Sequence, residues 1–294
     1  MKLRISLVNY LNAAPLGWYF LHGPIRHRFR VFPATPAQCA EQLARGEVDV
    51  GLIPSIEYQR TPGLCVIPDI AVAAINEVRS VLLVRPTGGA NRSPRSVALD
   101  TSSRTSVALL KLLLKIRMGL EPEYRPHEPD VTGMLATCDA ALVIGDTALH
   151  CSPEQYDIMD LGAAWRSWQQ RPFVFAFWAC RPEAMATTDL VPLFQEARDW
   201  GLARIDEIAA AYAVALTLPQ PFLKNYLCRN LDHSMGAEHI EGLERFYRLS
   251  HQAGLIKDLM PVRFASRAPS VETGGESITD GNSGNLQGPG KNKS

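Results

Sequence analysis

The feature that most limits how this chain can fold is a strand–turn–helix rhythm that runs once, halts at a turn-rich stretch, and starts again. Residues 5–8 read as a strand, followed by the polar loop Asn9-Tyr10-Leu11-Asn12 and a short helix beginning near Pro15. Residues 29–32 offer a second strand. Thr35 then opens a helix well: its hydroxyl can cap, Pro36 suits the first helical position, and Gln38 stands where a capping-box side chain reaches back. That helix ends at Gly46, and residues 48–53 form the next strand. A helix closed by glycine and followed by a strand is the βαβ unit of a parallel sheet. Residues 78–84 read as a strand crossing to something new, and Arg85-Pro86-Thr87-Gly88-Gly89-Ala90-Asn91 is rich in turn formers.

Beyond that stretch the rhythm resumes. A strand at 96–99 leads through the polar turn Asp100-Thr101-Ser102-Ser103-Arg104-Thr105-Ser106 into a helix over 107–118, apolar nearly all round and stopped by Gly119. Asp130 can cap a short helix through 135, and residues 140–144 form a buried strand ending at Gly145-Asp146. The aromatic and β-branched run 173–179 reads as the return crossing. From residue 190 onward only helices are predicted, over 190–201, over 205–215, after Pro219 and Pro221, and over 240–252 with Gly254 as the stop. The chain has 294 residues, 46% of them apolar, enough for two lobes with a proper core. The expected fold class is α/β, in the layout of a two-lobed periplasmic-binding-protein-like (type II) fold with a central cleft. Lobe one is expected from 1–84 plus 180–262 and lobe two from 85–179. The stretch 265–294, dominated by Gly, Ser, Asn and Thr, reads as a disordered tail.

Thirty basic and thirty acidic side chains balance to zero net charge, without the basic excess of a nucleic-acid binder. No window approaches the ~18 consecutive apolar residues of a transmembrane helix, so no membrane partner is expected. The apolar run after Met1-Lys2-Leu3-Arg4 is short and broken by Asn9 and Asn12, which suits a first strand better than a signal peptide. Six scattered cysteines, Cys39, Cys65, Cys138, Cys151, Cys180 and Cys228, contain no C-x-x-C pair and read as buried thiols in a reducing, cytoplasmic compartment.

Ligands of parallel α/β sheets sit beyond the carboxyl ends of strands, near helix N-termini. The richest such junction is the turn from Asp100 to Ser106. Five hydroxyls and Arg104 make either a carboxylate cradle or an overdetermined helix cap. Asn9 and Asn12 can bind a carboxylate or hydroxyl, or satisfy their own loop. Ser55 holds the equivalent place after the 48–53 strand, with the same ambiguity. Arg79-Ser80 faces either cleft or solvent. Gly145 permits close approach of a ligand, and Asp146 can accept, act as an acid or cap a helix. There is no P-loop, G-x-G-x-x-G, G-x-S-x-G or H-E-x-x-H. None of the seven histidines is an obvious general base, His150 being the nearest to a cleft junction.

Several of these stretches, taken in order, resemble one family, the chorismate dehydratases of the futalosine route to menaquinone. They are Val8-Asn9-Tyr10-Leu11-Asn12 with Pro15, the run from Gly46 to Ser55, Val78-Arg79-Ser80-Val81, and Ala98-Leu99-Asp100 running into Ser102–Ser106. Further on come Ala140 to Asp146, Asp160-Leu161-Gly162 with Trp165, Pro172-Phe173-Val174-Phe175-Ala176, and Glu241-Gly242-Leu243. The chain departs from the family at Ile75-Asn76-Glu77, where many relatives have a small residue and glycine. It departs again at Gln169-Gln170-Arg171, where Thr-Gly-Leu is usual. The resemblance implies conversion of chorismate to 3-[(1-carboxyvinyl)oxy]benzoate and water, with no metal or redox cofactor required. It implies that Ser80 and Asn12 lie closest to the chemistry. Asn9, Ser55, the turn Ser103, Arg104, Thr105 and Ser106, and Gly145-Asp146 would contact the substrate. Under this resemblance the expected proton acceptor is the substrate's own enolpyruvyl carboxylate, which would explain the missing histidine base. Two rivals are a carboxylate-binding solute receptor, which requires export, and the dihydroxynaphthoate synthases, whose Ser-Pro-Cys-Pro-Asn-Asp type loop and histidine base are not found here.

Overall fold

A computed structural model describes residues 2–89 and 92–266. Ten strands divide equally between two sheets: β1 (Leu3–Val8), β2 (Phe29–Ala34), β3 (Val50–Pro54), β4 (Cys65–Ala74), β5 (Val81–Pro86), β6 (Ser96–Asp100), β7 (Glu123–His127), β8 (Ala140–Ile144), β9 (Tyr156–Asp160) and β10 (Phe173–Cys180). The first sheet has the order β2-β1-β3-β10-β4 and the second β7-β6-β8-β5-β9, the same pattern twice. In each, the strand arriving from the other sheet lies antiparallel beside the last strand: β10 between β3 and β4, and β5 between β8 and β9. The remaining pairs, β1 with β2 and β3, and β6 with β7 and β8, are parallel. This is the two-lobed α/β architecture expected from the repeated rhythm.

Local chemistry sets the elements. Thr35 closes a full capping box with Gln38 ahead of the helix Pro36–Ala44, and Asp130 caps Val131–Thr137 through the N–H groups of Thr132 and Gly133. The central strands β3 and β8 are buried along their whole length, whereas β7, with Pro126, is an exposed edge. In the second sheet alternate residues serve different layers. Val81, Leu83 and Leu99 join the large core that runs through both lobes. Leu82, Val84 and Ala98 pack with Met134 in a separate cluster. On the other side of the molecule Trp165, Phe173, Phe175 and Phe246 form an edge-to-face aromatic stack. It binds the helix Leu161–Gln169 and the helix Ala237–Gln252 to β10.

The expected lobe boundaries require correction. Residues 81–84, assigned to lobe one, form β5 of the second sheet; residues 173–179, assigned to lobe two, form β10 of the first. The chain therefore passes between sheets at 75–80 and at 161–172. Apolar patterning marks a strand but not the sheet it joins, and the turn-rich stretch 85–91 ends β5 instead of carrying the crossover. Its residues 90 and 91 lie outside the described residues. The two departures from the family pattern, at 75–77 and 169–171, fall at these passages. Strand β4 escaped the sequence reading because Pro68 and the left-handed Asp69 (φ 65°) interrupt it. Of the expected tail, Ala265 is buried and donates to the Val66 carbonyl at 2.8 Å; residues 267–294 lie outside the described residues.

The helix Leu190–Leu202 crosses the helix Ala14–His22 at Gly201, where an added Cβ would clash with the Pro15 carbonyl, far inside van der Waals contact. Alanine normally stabilises a helix interior over glycine by up to about 1 kcal/mol. Here Gly201→Ala is expected to do the reverse, costing about 1–3 kcal/mol through overpacking, as measured by urea unfolding.

Candidate active site

Between the two sheets lies a pocket of about 500 Å³, part of it open to solvent. Its polar lining consists of Tyr10, Asn12, Ser80, Ser103 and Ser106, with Gly145 at one wall. Val8, Leu52, Val72, Val78, Val81, Ile144 and Phe175 supply apolar surface. Among the described residues no lysine, arginine, aspartate, glutamate or histidine lines the cavity. The site is a space without charged lining side chains among the described residues, with a few convergent hydrogen-bonding groups, the usual make-up of a small-molecule pocket.

The first crossing presents Ser80. Arg79 adopts a left-handed backbone (φ 62°), a conformation costing about 1 kcal/mol or more for a non-glycine residue. The Asp160 carboxylate holds it there, accepting from the Arg79 N–H at 2.7 Å and the Val78 N–H at 3.1 Å while also capping the next helix through Ala163. Ser80 is fully buried, and its carbonyl accepts from the Gly145 N–H at 2.8 Å, which ties crossing to β8. Gly145 itself has φ 62°, and the Tyr10 ring lies only 3.1 Å from where a Cβ would stand.

The hydroxyl-rich turn divides its labour. Ser102 bonds the Asp100 carboxylate at 2.6 Å and lies 3.3 Å from the Tyr10 hydroxyl. Ser103 is the N-cap of the helix Arg104–Leu112, yet it makes no side-chain capping bond; its hydroxyl pairs with Ser106 at 2.9 Å, and both face the cavity. The unpartnered N–H groups of a helix's first turn favour anions.

Five of the expected contact residues do not line the cavity. Ser55 donates to the Val174 carbonyl at 2.8 Å, and Thr105 accepts the Ile56 N–H at 3.1 Å. Their hydroxyls, 3.4 Å apart, join the lobes. Arg104 meets Glu57 at 2.7 Å and also pairs with Glu41, both on lobe one, so its guanidinium clasps protein instead of ligand. The exposed Asn9 uses its N–H on the Ala34 carbonyl at 3.4 Å. Asp146 accepts the Leu11 N–H at 2.9 Å across the lobes, and burial pushes its carboxyl up to about 6 although that bond pulls it down. With Asn12, Ser80, Ser103, Ser106 and Gly145 brought together, Ser55, Arg104, Thr105 and Asp146 join the lobes around them, and Asn9 stays within lobe one. His150 is exposed and away from the cavity.

Three residues at the site were not singled out from sequence. Tyr10 lines the wall, and burial raises its phenol above the ordinary range, the Ser102 bond opposing. Tyr226 is buried beside the Ser80 hydroxyl, its phenol pushed far up by desolvation and thus neutral. His233 packs behind Asn12. Tyr226 and His233 lie far away in sequence, in helical and loop segments that carry no motif.

Two like lobes closed on one neutral cavity define a small-molecule protein of the periplasmic-binding-protein-like fold. The SsuA alkanesulfonate-binding protein of Xanthomonas axonopodis pv. citri, solved bound to MOPS, is similar with a TM-score of 0.67 and 15% identity, covering 89% of this chain and 96% of that one. The periplasmic aliphatic sulphonate binding protein SsuA of Escherichia coli matches at a TM-score of 0.63 and 16% identity, over 99% of this chain and 98% of that one. At such identities the likeness is one of fold. Sequence similarity goes further: a chorismate dehydratase of Thermus thermophilus is 37% identical over 242 residues, 76% of this chain and 86% of that protein. Residues 3–252 match the menaquinone biosynthesis family model, and the chain belongs to that family.

The raised Asp146 carboxyl has a pH signature. Its folded pKa lies above the ordinary value, so the protonated form favours the folded state, and that contribution is lost as pH rises from about 4 through about 6. Asp146→Asn keeps an acceptor for Leu11 without the charge. Its thermal stability should exceed that of the parent by about 1–3 kcal/mol above pH 7, with the gain fading below pH 4.

Proposed function

We propose that the cavity binds chorismate and dehydrates it to 3-[(1-carboxyvinyl)oxy]benzoate and water, a step of menaquinone biosynthesis. Family membership and the dehydratase relative support the activity. The observation that carries the reading of the site is the absence of any lining carboxylate or imidazole around a group of hydroxyls and one amide. A proton must leave the ring carbon bearing the enol ether and hydroxide must leave the neighbouring carbon, with aromatisation driving the step. Among the described residues the only titratable lining side chain is Tyr10, whose phenol is raised by burial and suits donation better than proton abstraction. The substrate's enolpyruvyl carboxylate then serves as the proton acceptor, held against the ring by the closed walls. In this reading Ser80 and Asn12 address the reacting ring carbons and the departing hydroxyl. The Ser103–Ser106 pair and the start of the helix Arg104–Leu112 receive a carboxylate.

Neutral donors suit the task. A lysine or arginine in the cavity would pair with the enolpyruvyl carboxylate and lower its basicity, whereas hydroxyls and N–H groups orient it at smaller cost to its proton affinity. Arg104 spends its charge on Glu57 and Glu41 across the lobes, and none of the three lines the cavity. The six free thiols, five of them buried, fit a reducing compartment and support a cytoplasmic enzyme. Among the described residues no helix is long and apolar enough to cross a membrane.

Incubation of the purified protein with chorismate should yield a benzoate ultraviolet spectrum and the loss of one water by mass. Ser80→Ala and Asn12→Ala should each lower kcat about 100-fold or more while chorismate affinity changes far less. Tight binding of chorismate with no product would instead identify a receptor, and turnover surviving both substitutions would remove Ser80 and Asn12 from the chemistry.

A further inference from the structure

The last loop before the C-terminal helix returns to the first sheet and stops against the cavity wall. Asp232 and Ala73 exchange both backbone hydrogen bonds, at 2.8 and 2.9 Å, and the Ala71 N–H reaches the His233 carbonyl at 3.4 Å. This bridge fixes the His233 backbone on β4, and the imidazole, 4% exposed, is directed at the loop after β1. There Nε2 lies 2.9 Å from the Asn12 carbonyl oxygen. A carbonyl only accepts, so Nε2 carries the proton and donates. Burial lowers the imidazole pKa, against the raising effect of the Asn12 carbonyl and Asp232, which keeps the ring neutral.

The carbonyl that receives this bond has a particular need of it. Asn12 is the middle residue of the single 3-10 turn Leu11–Ala13, in which a carbonyl is normally held by the N–H three residues on. Three residues on from Asn12 is Pro15, which has no N–H. His233 supplies a donor from 221 residues away. The same turn is anchored on its other flank by the Leu11 N–H to Asp146, and Tyr10 closes it through the Ala13 N–H at 3.0 Å. With both flanks held, the Asn12 peptide has one orientation, and its side chain projects from that peptide into the cavity wall.

We propose that His233 is a positioning residue for the dehydration, its Nε2–H holding the Asn12 carbonyl and thereby setting the Asn12 amide against the substrate. The inference rests on the reading of Asn12 as a group at the reacting ring. His233 is not itself a base in this scheme: its only ring proton is engaged by a backbone oxygen, and it is not among the residues lining the cavity.

The test compares His233→Leu, His233→Gln, His233→Asn and Asn12→Ala, and the His233→Leu/Asn12→Ala pair, by kcat and KM for chorismate and by thermal unfolding. Glutamine places an amide N–H near the position of Nε2; asparagine reaches only as far as Nδ1. The Leu and Asn variants should lose about 10- to 100-fold in kcat with KM nearly unchanged, and the Gln variant should recover most of the rate. Adding His233→Leu to Asn12→Ala should cost no further rate, because the two act as one unit. A folded His233→Leu enzyme with the parent kcat, beside an inactive Asn12→Ala, overturns this proposal alone. Equal rates for the Gln and Asn variants also overturn it, and that comparison stands even where the Leu variant does not fold. Full turnover by Asn12→Ala overturns the reading of Asn12 and the positioning role with it.

Discussion

Each sheet of this protein holds, beside its central strand, an antiparallel strand entered directly from the other sheet. Because β10 must lie between β3 and β4, the first sheet is not finished until the chain has crossed twice, and because β5 must lie between β8 and β9, the second is built around the strand of the first crossing. The crossings cannot drift, since every hydrogen bond of an inserted central strand depends on their register. That constraint places Ser80 at the very end of the first crossing, between the lobes, and makes the strained Arg79 peptide tolerable. The Asp160 carboxylate gathers three N–H groups, from Val78, Arg79 and Ala163, and so locks the turn against the start of the next helix. A conformation costing about 1 kcal/mol or more is sustained by bonds that the topology requires anyway.

The same constraint separates charge from chemistry. The walls of the cavity come from strand ends and first turns, where backbone dipoles and short hydroxyl side chains are available. Long charged side chains reach outward from those points. Glu57 shows the result: its side chain is only 6% exposed, yet its two oxygens meet Arg60 and Arg104, each at 2.7 Å. A buried ion pair contributes little net stability after desolvation, but breaking it leaves an uncompensated charge. The Arg104 arm of this cluster links the two lobes. The residues that line the cavity, among those described, carry short hydroxyl and amide groups and no charged side chain.

Behind the cavity the helical C-terminal third acts as a supporting layer. Tyr226 stands beside Ser80 and His233 behind Asn12, both buried and both neutral because desolvation disfavours their charged forms. Their segment is pinned to β4, the strand whose interruption at Pro68 and Asp69 made it hard to see in the sequence. The layer therefore joins the two side chains proposed for the chemistry to one rigid element.

Local signals in the sequence were reliable where the chemistry is local. The Thr35–Gln38 capping box, the Asp130 cap, the buried run at 140–144 and the glycine stops are properties of a few adjacent residues, and the chain adopts them as read. The repeated βα rhythm likewise determined the two-lobed class, because period and punctuation constrain topology. What no stretch of sequence contains is the use to which a polar side chain is put. Five hydroxyls in one turn look alike, but only Ser103 and Ser106 face the cavity, while Thr105 is drawn to the Ile56 N–H and Ser102 to Asp100. Arg104 read as an anion grip until two glutamates from the other lobe claimed it. The lobe boundaries shifted for the same reason, since an apolar strand pattern is silent about which sheet it will join. The sequence by itself determined the elements and their order. Only tertiary structure decided which donors were left over for a ligand, because a hydrogen bond goes to whichever partner the fold brings within about 3 Å.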